Sequence, residues 1–316
     1  MAPPSPSPRA ETPDATLHHP DMRCFQLVDI VRRNNRFAPA TYAPLVVDQR
    51  TVGLVAKERV SALQRFPDVF SEVTPDRIQL HPRLAHEAAR TTAMMDVARA
   101  LLATGDIGEK WKHEDYGAKD AADQVVFRVD RSAAAFFGIT QCGCHLNGYV
   151  RHGPRPDDVS VWMGLRHASR ALWPGKWDSI VGGGLPLDIS PWDNMLKEAS
   201  EEAKFAANDI SHLMHSVGVI SYVNSEKEGL KHNTMFVFDA CLPSSLVPRS
   251  DGDEVERFEL WPIRKALALV EASPESFKPD ICLLLIDFGL RHGILTPDNT
   301  AAYTSLVHSL RATPPF

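Results

Sequence analysis

The chain contains 316 residues, of which 44% are hydrophobic and 23% are charged, and this composition supplies enough apolar material for the cores of two domains. Its net charge of −6 gives no basic surface for nucleic acid, so we expect no nucleic acid partner. The longest apolar run, residues 281–290, is too short to cross a membrane and contains Asp287, so we expect no membrane partner either.

The cysteines follow no disulfide or zinc-binding spacing. An odd and scattered set of this kind indicates reduced thiols, and hence an intracellular, cytoplasmic protein. The sequence leaves organelle targeting open. The five cysteines are Cys24, Cys142, Cys144, Cys241 and Cys282.

The first half of the chain predicts a disordered tail followed by a small α+β domain. Residues 1–20 are rich in proline and serine and have no apolar core, which is typical of a disordered tail. We predict that residues 21–120 form the N-terminal domain, whose expected role is to form one wall of a substrate pocket; packing or dimer formation is the alternative. Its predicted elements are helices at 25–31, 60–66 and 84–102 and strands at 42–47 and 51–55.

The second half predicts a sandwich of strands between helices. A charged, glycine-containing linker is expected at 106–123, and residues 121–316 then form the second domain. The alternation of strands and helices favours an α/β or α+β sandwich. The predicted strands are 124–130, 141–151, 160–166, 179–183, 216–223, 234–241 and 258–262, with a helix at 263–271.

A glycine run at residues 182–184 leads into a helix with clustered glutamates. Ser190 is a good N-cap, Pro191 suits the first helical position, and Asp193 completes a pattern similar to a capping box. At about 100° per residue, the helix places Glu198, Glu201 and Glu202 together on an arc away from its apolar stripe. Three like charges so close repel one another, and a divalent cation would relieve that repulsion.

Residues 182–205, GGGLPLDISPWDNMLKEASEEAKF, resemble a Nudix box. In that pattern Gly183 takes the first glycine position, Lys197 replaces the usual arginine, and Glu198, Glu201 and Glu202 are the core glutamates. Two residues depart from it. Ile189 stands where an upstream glutamate is usual, and Lys204 stands where a glycine is usual.

Three further segments resemble the Nudix subfamily related to thiamine pyrophosphokinases. They are HLNGYV at 145–150, PGKWD at 174–178, and Ser190-Pro191 in place of the usual glutamate. The resemblance covers the chain from Asp123 onward, and the preceding segment is similar to the poorly characterised domain that accompanies this subfamily. It implies a Nudix-type α/β/α sandwich preceded by a smaller α+β N-terminal domain.

The resemblance also implies hydrolysis of a small-molecule diphosphate with Mg²⁺ or Mn²⁺. The implied substrate is thiamine diphosphate, or an oxidised or damaged analogue, cleaved to the monophosphate. Glu198, Glu201 and Glu202 are the expected metal ligands. The expected catalytic groups are Glu198, Glu201 and Glu254, with Glu256 a second choice for the base. The residues expected to contact substrate phosphates are Gly182, Gly183, Gly184, Arg131, Arg166 and Lys176.

Three alternatives remain open. The chain could hydrolyse other nucleoside diphosphate derivatives, or isomerise prenyl diphosphates with Cys142 or Cys144 as the catalytic thiol. It could also be a non-catalytic binding module that keeps the fold, and a homodimer is possible. Three aromatic residues could stack on a substrate ring, but core packing is the favoured interpretation for each: Phe136, Trp173 and Trp177.

Overall fold

The computed structural model describes residues 27–108, 110–250, 252–313 and 315–316. The predicted tail at 1–20, Cys24 and the first two residues of the helix predicted at 25–31 lie outside the described residues. No helix in these ranges combines the length and apolar character needed to cross a membrane.

The N-terminal half builds a four-stranded sheet, a two-stranded hairpin and three helices. Its elements are α1 (Leu27–Arg33), β1 (Tyr42–Val47), β2 (Arg50–Ala56), β3 (Phe70–Thr74), β4 (Arg77–Leu80), α2 (Glu87–Ala103), β5 (Asp115–Lys119), β6 (Val125–Asp130) and α3 (Arg131–Phe137). The strand order is β2-β1-β4-β3, with β1 and β4 parallel. The helix predicted at 60–66 is a 3₁₀ helix at Lys57–Leu63.

The N-terminal core extends beyond the predicted domain boundary at residue 120. Strand β5 lies inside the predicted linker and pairs antiparallel with β6, so the boundary cuts through a hairpin. Phe127 of β6 and Phe136 of α3 are buried with Leu45 and Met94 in one apolar cluster, which ends at Ile139. The linker prediction was wrong because charged residues mark this hairpin's exposed turn, while Tyr116 and Ala118 are buried. We propose a boundary after Ile139.

The second half forms a seven-stranded mixed sheet with helices on both faces. Its elements are β7 (Thr140–Arg151), β8 (Val159–Arg166), β9 (Trp177–Asp178), β10 (Val181–Gly184), α4 (Pro191–Glu202), α5 (Ala207–Ile210), β11 (Met214–Glu226), β12 (Gly229–Cys241), β13 (Val255–Pro262), α6 (Ile263–Ala272), α7 (Pro279–Arg291) and α8 (Tyr303–Ser309). The main path is β11-β12-β7-β8-β13, with β10 paired to β7 and β9 to β8. Strands β7 and β12 run parallel.

Helices cover the two faces of this sheet through separate apolar clusters. Met195 and Ala199 of α4 pack with Leu146 and Phe238 on one face. On the other face α6 and α7 pack together, and α1 joins them rather than the N-terminal core. The expected α/β/α sandwich is therefore confirmed, and a smaller α+β unit precedes it.

Candidate active site

The acidic helix α4 begins where the sequence predicts and is fixed to the glycine strand β10. Ser190 Oγ accepts a hydrogen bond from the Asp193 backbone N–H at 3.0 Å, which caps the helix. The buried Asn194 donates from Nδ2 to the Gly184 carbonyl at 3.0 Å. These contacts place the glutamates of the next two turns against the glycines.

Two of the three glutamates face the glycine strand and are partly removed from water. The Gly182 backbone N–H donates to Glu202 Oε2 at 2.9 Å. A Cβ on Gly183 would lie 2.5 Å from Cδ of Glu198, so glycine is needed there for the carboxylate to approach the strand. This close packing sets the electrostatics of both carboxylates.

Burial raises the pKa of both carboxylates, as expected at a site where a cation would compensate their negative charge. Burial raises the pKa of Glu202 to about 8; the Gly182 N–H offsets part of this, and repulsion from Asp178 and Glu198 adds to it. Burial also raises the pKa of Glu198, against the attraction of Lys197. Two crowded carboxylates with raised pKa values are oxygen ligands of the type that Mg²⁺ and Mn²⁺ prefer.

Glu201 has a different environment from its two neighbours. Its side chain is 57% exposed and pairs with Lys197 Nζ at 3.1 Å, and the same Lys197 lies 3.4 Å from Glu198. Across the described ranges, no group of three or more His, Cys, Asp or Glu side chains is arranged to hold a metal ion. The donor chemistry of Glu198 and Glu202 fits a divalent cation, and the three-glutamate set remains a prediction.

A cavity of about 700 Å³ opens in front of these carboxylates and gathers most of the predicted site residues. Glu254 lies in the cavity wall, where Arg170 Nη1 holds its carboxylate at 2.8 Å. Glu256, the second choice for the base, is exposed and pairs with Arg257 instead. Besides Glu254, the predicted residues that line the cavity are Gly182, Gly183, Gly184, Glu198, Glu201, Glu202, Arg131 and Arg166.

Lys176 lies away from this cavity. Its Nζ donates to the Glu275 carbonyl at 2.7 Å, and it lines a neighbouring cavity of about 740 Å³. Arg166 reaches the catalytic cavity, but its guanidinium is occupied: it pairs with Asp178 at 2.8 Å and donates to the Leu172 and Trp173 carbonyls. Through these contacts Arg166 holds the loop after β8 in place.

The N-terminal unit supplies part of the cavity wall. Tyr116 of β5 donates from its hydroxyl to the Cys142 carbonyl at 2.9 Å. Arg131, at the start of α3, pairs with Glu114 at 2.8 Å, and both side chains line the cavity. A Cβ on Gly184 would meet Arg131 Nη1 and the Tyr116 hydroxyl at 2.7 Å each. The expectation that the N-terminal domain forms one wall agrees with these contacts.

A group of charged residues at the cavity floor was not predicted from the sequence. Lys278 Nζ lies 3.1 Å from Asp280 Oδ2 and 3.7 Å from Asp178. His145 Nε2 lies 3.8 Å from the same Asp280 oxygen, and its Nδ1 shares a hydrogen bond with Ser179 Oγ at 2.9 Å. Burial, together with the nearby charge of Lys278, lowers the pKa of His145 to about 4. His145 and Asp178 lie in the segments 145–150 and 174–178 that carry the subfamily resemblance, but nothing in the sequence places them beside Lys278 and Asp280.

The two departures from the box pattern are accommodated locally. Ile189 packs against the apolar cluster under α4, so an apolar contact takes the place of a polar tether. Lys204 adopts a left-handed backbone conformation with φ of 57°, which is the conformation that a glycine provides at a helix C-terminus. Its Nζ donates to the Glu201 carbonyl at 2.9 Å. The backbone shape of the box is therefore retained despite both substitutions.

The structure gives no support to a thiolate-dependent isomerase. The four cysteines in the described part of the chain are free thiols. Cys144 is fully buried, which raises its pKa to about 12, and burial also raises the pKa of Cys142. Both groups are therefore held as neutral thiols, whereas a reactive thiol needs a lowered pKa.

Of the three aromatic candidates, only Trp173 is placed to meet a ligand. Phe136 is buried in the N-terminal core, and Trp177 packs edge-on to Trp261 with ring centroids 4.5 Å apart. Trp173 is 39% exposed and lines both cavities. Core packing is therefore confirmed for Phe136, which lies in a helix whose residues are buried in the apolar cluster of the N-terminal unit.

The α/β/α sandwich therefore places two partly buried carboxylates beside an open cavity that contains arginines. The family model described as "NUDIX domain" matches residues 155–281, and one described as a domain of unknown function (DUF4743) matches residues 23–141. The second match ends close to Ile139, where the N-terminal core ends.

Three curated proteins resemble the chain over most of its length. Nudix hydrolase 20, chloroplastic, of Arabidopsis thaliana is 32% identical over 312 residues, which cover 95% of this chain and 81% of that protein. Nudix hydrolase 24, chloroplastic, of the same plant is 32% identical over 273 residues, covering 85% and 73%. An uncharacterized protein of Saccharomyces cerevisiae is 27% identical over 301 residues, covering 89% and 86%. The chain belongs to the Nudix hydrolase family.

Proposed function

We propose that this Nudix hydrolase cleaves a small-molecule diphosphate in a reaction that depends on Mg²⁺ or Mn²⁺. The observation that carries the metal dependence is the pair formed by Glu198 and Glu202, two carboxylates crowded against the glycine strand with raised pKa values. Crowding of this kind is unfavourable unless a cation or a proton compensates it.

Glu198 and Glu202 would hold the metal, with Glu201 turning inward from its pairing with Lys197 as the third ligand. When bound, the metal would neutralise phosphate oxygens and increase the acidity of a coordinated water. Glu254 lies close enough to repel Glu198 and Glu202, and it is our candidate for the group that accepts the proton of the attacking water.

Arg131 is the best-placed cation for the substrate phosphates. It lies against Gly184, lines the cavity and pairs with Glu114 at the surface of the N-terminal unit. The backbone at 182–184 presents no side chain, so a phosphate can approach it closely. Arg166 then orients the loop that carries Trp173, rather than contacting phosphate.

For the substrate we propose thiamine diphosphate or an oxidised or damaged analogue, cleaved to the monophosphate. The support is the resemblance of residues 145–150 and 174–178 to the subfamily related to thiamine pyrophosphokinases. In the fold, residues 145–150 lie in β7, beside the glycine strand, and residues 174–178 form the end of the loop before β9 together with β9 itself. Nucleoside diphosphate derivatives are the second candidate class.

The test is a panel of diphosphates incubated with the full chain and Mg²⁺ or Mn²⁺: thiamine diphosphate, its oxidised analogues, ADP-ribose and NADH. We expect metal-dependent formation of the monophosphate, reduced at least 100-fold in Glu202→Gln. Glu256→Gln, which removes an exposed carboxylate outside the cavity, is the matched control and should retain activity. Cleavage of the nucleotides alone would reject the thiamine substrate but keep the hydrolase.

We also propose a cytoplasmic location and a homodimer. Two relatives carry the word chloroplastic in their names, so organelle targeting is the competing location. Fluorescent tagging of the full chain at its C-terminus distinguishes the two locations, since it leaves residues 1–26 unblocked.

A further inference from the structure

The floor of the catalytic cavity contains a carboxylate oxygen without a hydrogen-bond partner. Asp280 lines the cavity and only 8% of the residue is exposed. Its Oδ2 lies 3.1 Å from Lys278 Nζ and 3.8 Å from His145 Nε2. Its Oδ1 is enclosed and accepts no hydrogen bond from any described residue. An enclosed acceptor left unpaired costs free energy that an incoming donor can recover.

Lys278 determines which oxygen of the Asp280 carboxylate is paired within the protein and which remains unpaired. Because its ammonium group lies beside Oδ2, that oxygen is committed to the protein, and the carboxylate keeps a compensating charge. The remaining oxygen then acts as a directional acceptor. The terminal torsion of an aspartate is broad, and the ammonium group of Lys278 lies on a flexible stem that can follow Oδ2 as the carboxylate rotates. Rotation can therefore turn Oδ1 toward a ligand while Oδ2 keeps its ion pair.

The surroundings of Asp280 suit a flat ring. Gln141, Gly143 and His145 alternate along β7, so they share one face of the strand, and all three line the cavity. Gly143 has no side chain, and the only atom within 4 Å of the position its Cβ would take is the Gly183 carbonyl oxygen, at 3.1 Å. Tyr222 of β11 lines the same cavity, and Gln141 contributes an enclosed amide nitrogen, Nε2, that is also unpartnered. The cavity lining thus includes an unpartnered acceptor on Asp280 and an unpartnered donor on Gln141.

We propose that Asp280 determines substrate specificity by accepting a hydrogen bond from an exocyclic amino group on the heterocycle of the substrate. The inference rests on the proposed function only for the identity of the cavity as the substrate site. Aminopyrimidines and adenine both carry such a group, and an analogue with a carbonyl oxygen in its place would meet a carboxylate oxygen with no proton between them. A site of this kind rejects an analogue that lacks the matching donor.

The experiment measures binding of monophosphates, which have no diphosphate bond to cleave and so report on the ring alone. Calorimetry compares two amino/carbonyl pairs: AMP with IMP, and thiamine monophosphate with oxythiamine monophosphate. We expect wild-type protein to bind the amino member of at least one pair ten times or more tightly than the carbonyl member. The pair that shows the preference identifies the ring class.

The variant Asp280→Asn should reverse the preference for the amino analogue. Lys278 would hold the amide oxygen of the new side chain, so its NH₂ group would take the place of Oδ1 and donate instead of accept. The ratio of the affinity for the amino analogue to the affinity for the carbonyl analogue should therefore decrease at least tenfold. Asp287→Asn is the matched control, because Asp287 is a buried carboxylate on the same helix that pairs with Arg291 and does not line the cavity. Its preference should equal that of wild type.

Equal binding of both members of each pair by wild type, or no binding of any of the four, overturns the inference, even if Asp280→Asn fails to fold. An unchanged preference in a folded Asp280→Asn variant overturns it as well. A preference that is present in wild type and lost in the variant supports it, whether or not the corresponding diphosphate is hydrolysed. Absence of diphosphate cleavage contradicts only the proposed function.

Discussion

Replacing Gly183 by alanine should remove activity without removing stability. The new Cβ would lie 2.5 Å from Glu198 Cδ and 2.7 Å from each of its carboxylate oxygens. Ordinary contacts begin at 3.4 Å, so the carboxylate has to retreat by about 1 Å. It can do so easily, because it is the end of a flexible side chain, and Gly183 has no left-handed backbone that alanine would strain.

The effect on catalysis is large because a displacement of this size misplaces a catalytic group. A shift of about 1 Å can cost about 100-fold in rate, or roughly 2.7 kcal/mol in activation free energy. We therefore expect kcat/KM of Gly183→Ala to fall about 100-fold, while its free energy of unfolding changes by less than about 1 kcal/mol, as at other positions whose backbone alanine can adopt. Both quantities are measured on the same preparation, by phosphate release and by urea denaturation.

Gly108→Ala is the control for this experiment, since a Cβ there meets no atom within 4 Å and the position lies outside the site. It should match wild type in both measurements. Wild-type kcat/KM in Gly183→Ala would refute the reasoning, because it would mean that the position of Glu198 against the glycine strand does not matter. A large loss of stability would refute it differently, by showing that the Glu198 side chain cannot move aside.

Three other predictions follow from the same region. Gly182→Ala should destabilise the fold by about 1 to 3 kcal/mol, because its Cβ would lie 2.3 Å from Nδ1 of the buried His145 ring; urea denaturation measures this, and a neutral result would contradict the packing. Lys204→Gly should raise the free energy of unfolding by about 0.5 to 1 kcal/mol, since φ is 57° there; a destabilised variant would mean that the Lys204 side chain contributes more than the backbone strain costs. The pKa of His145 is about 4 in the folded protein, so between pH 6.5 and 4 the unfolded chain binds a proton there that the folded protein does not. The free energy of unfolding should therefore decrease by up to about 3 kcal/mol as the pH drops through this range. The decrease should be smaller in His145→Gln, and an equal decrease would exclude His145 as its source.

Local sequence signals predicted the active-site helix well. The cap at Ser190 and the proline after it set the start of α4, and the 3.6-residue repeat placed the three glutamates on one arc away from the apolar stripe. In the structure, Glu198 and Glu202 of this arc meet the glycine strand. These features depend on residues within a few positions of one another. They can therefore be predicted without knowing how distant segments of the chain pair.

Features that depend on pairing between distant segments could not be predicted. Strand β12 begins at Gly229, five residues before the predicted start, because β11 pairs with its polar first half. The helix α3 was missed although Asp130 caps it and Gly138 ends it, since its seven residues are too few to show a helical repeat. Lys278 and Asp280 reach the cavity floor only because α7 packs under the sheet, and their spacing alone carries no sign of it.

The most direct test of the central claim is metal binding by the carboxylates of α4, measured without any substrate. Electron paramagnetic resonance of free Mn²⁺ during titration with protein reports the bound fraction. We predict that wild-type protein depletes the free Mn²⁺ signal and that the double variant Glu198→Gln, Glu202→Gln does not, with Glu256→Gln behaving as wild type. Equal depletion by the wild-type protein and the double variant would contradict the assignment of the metal site to these two glutamates.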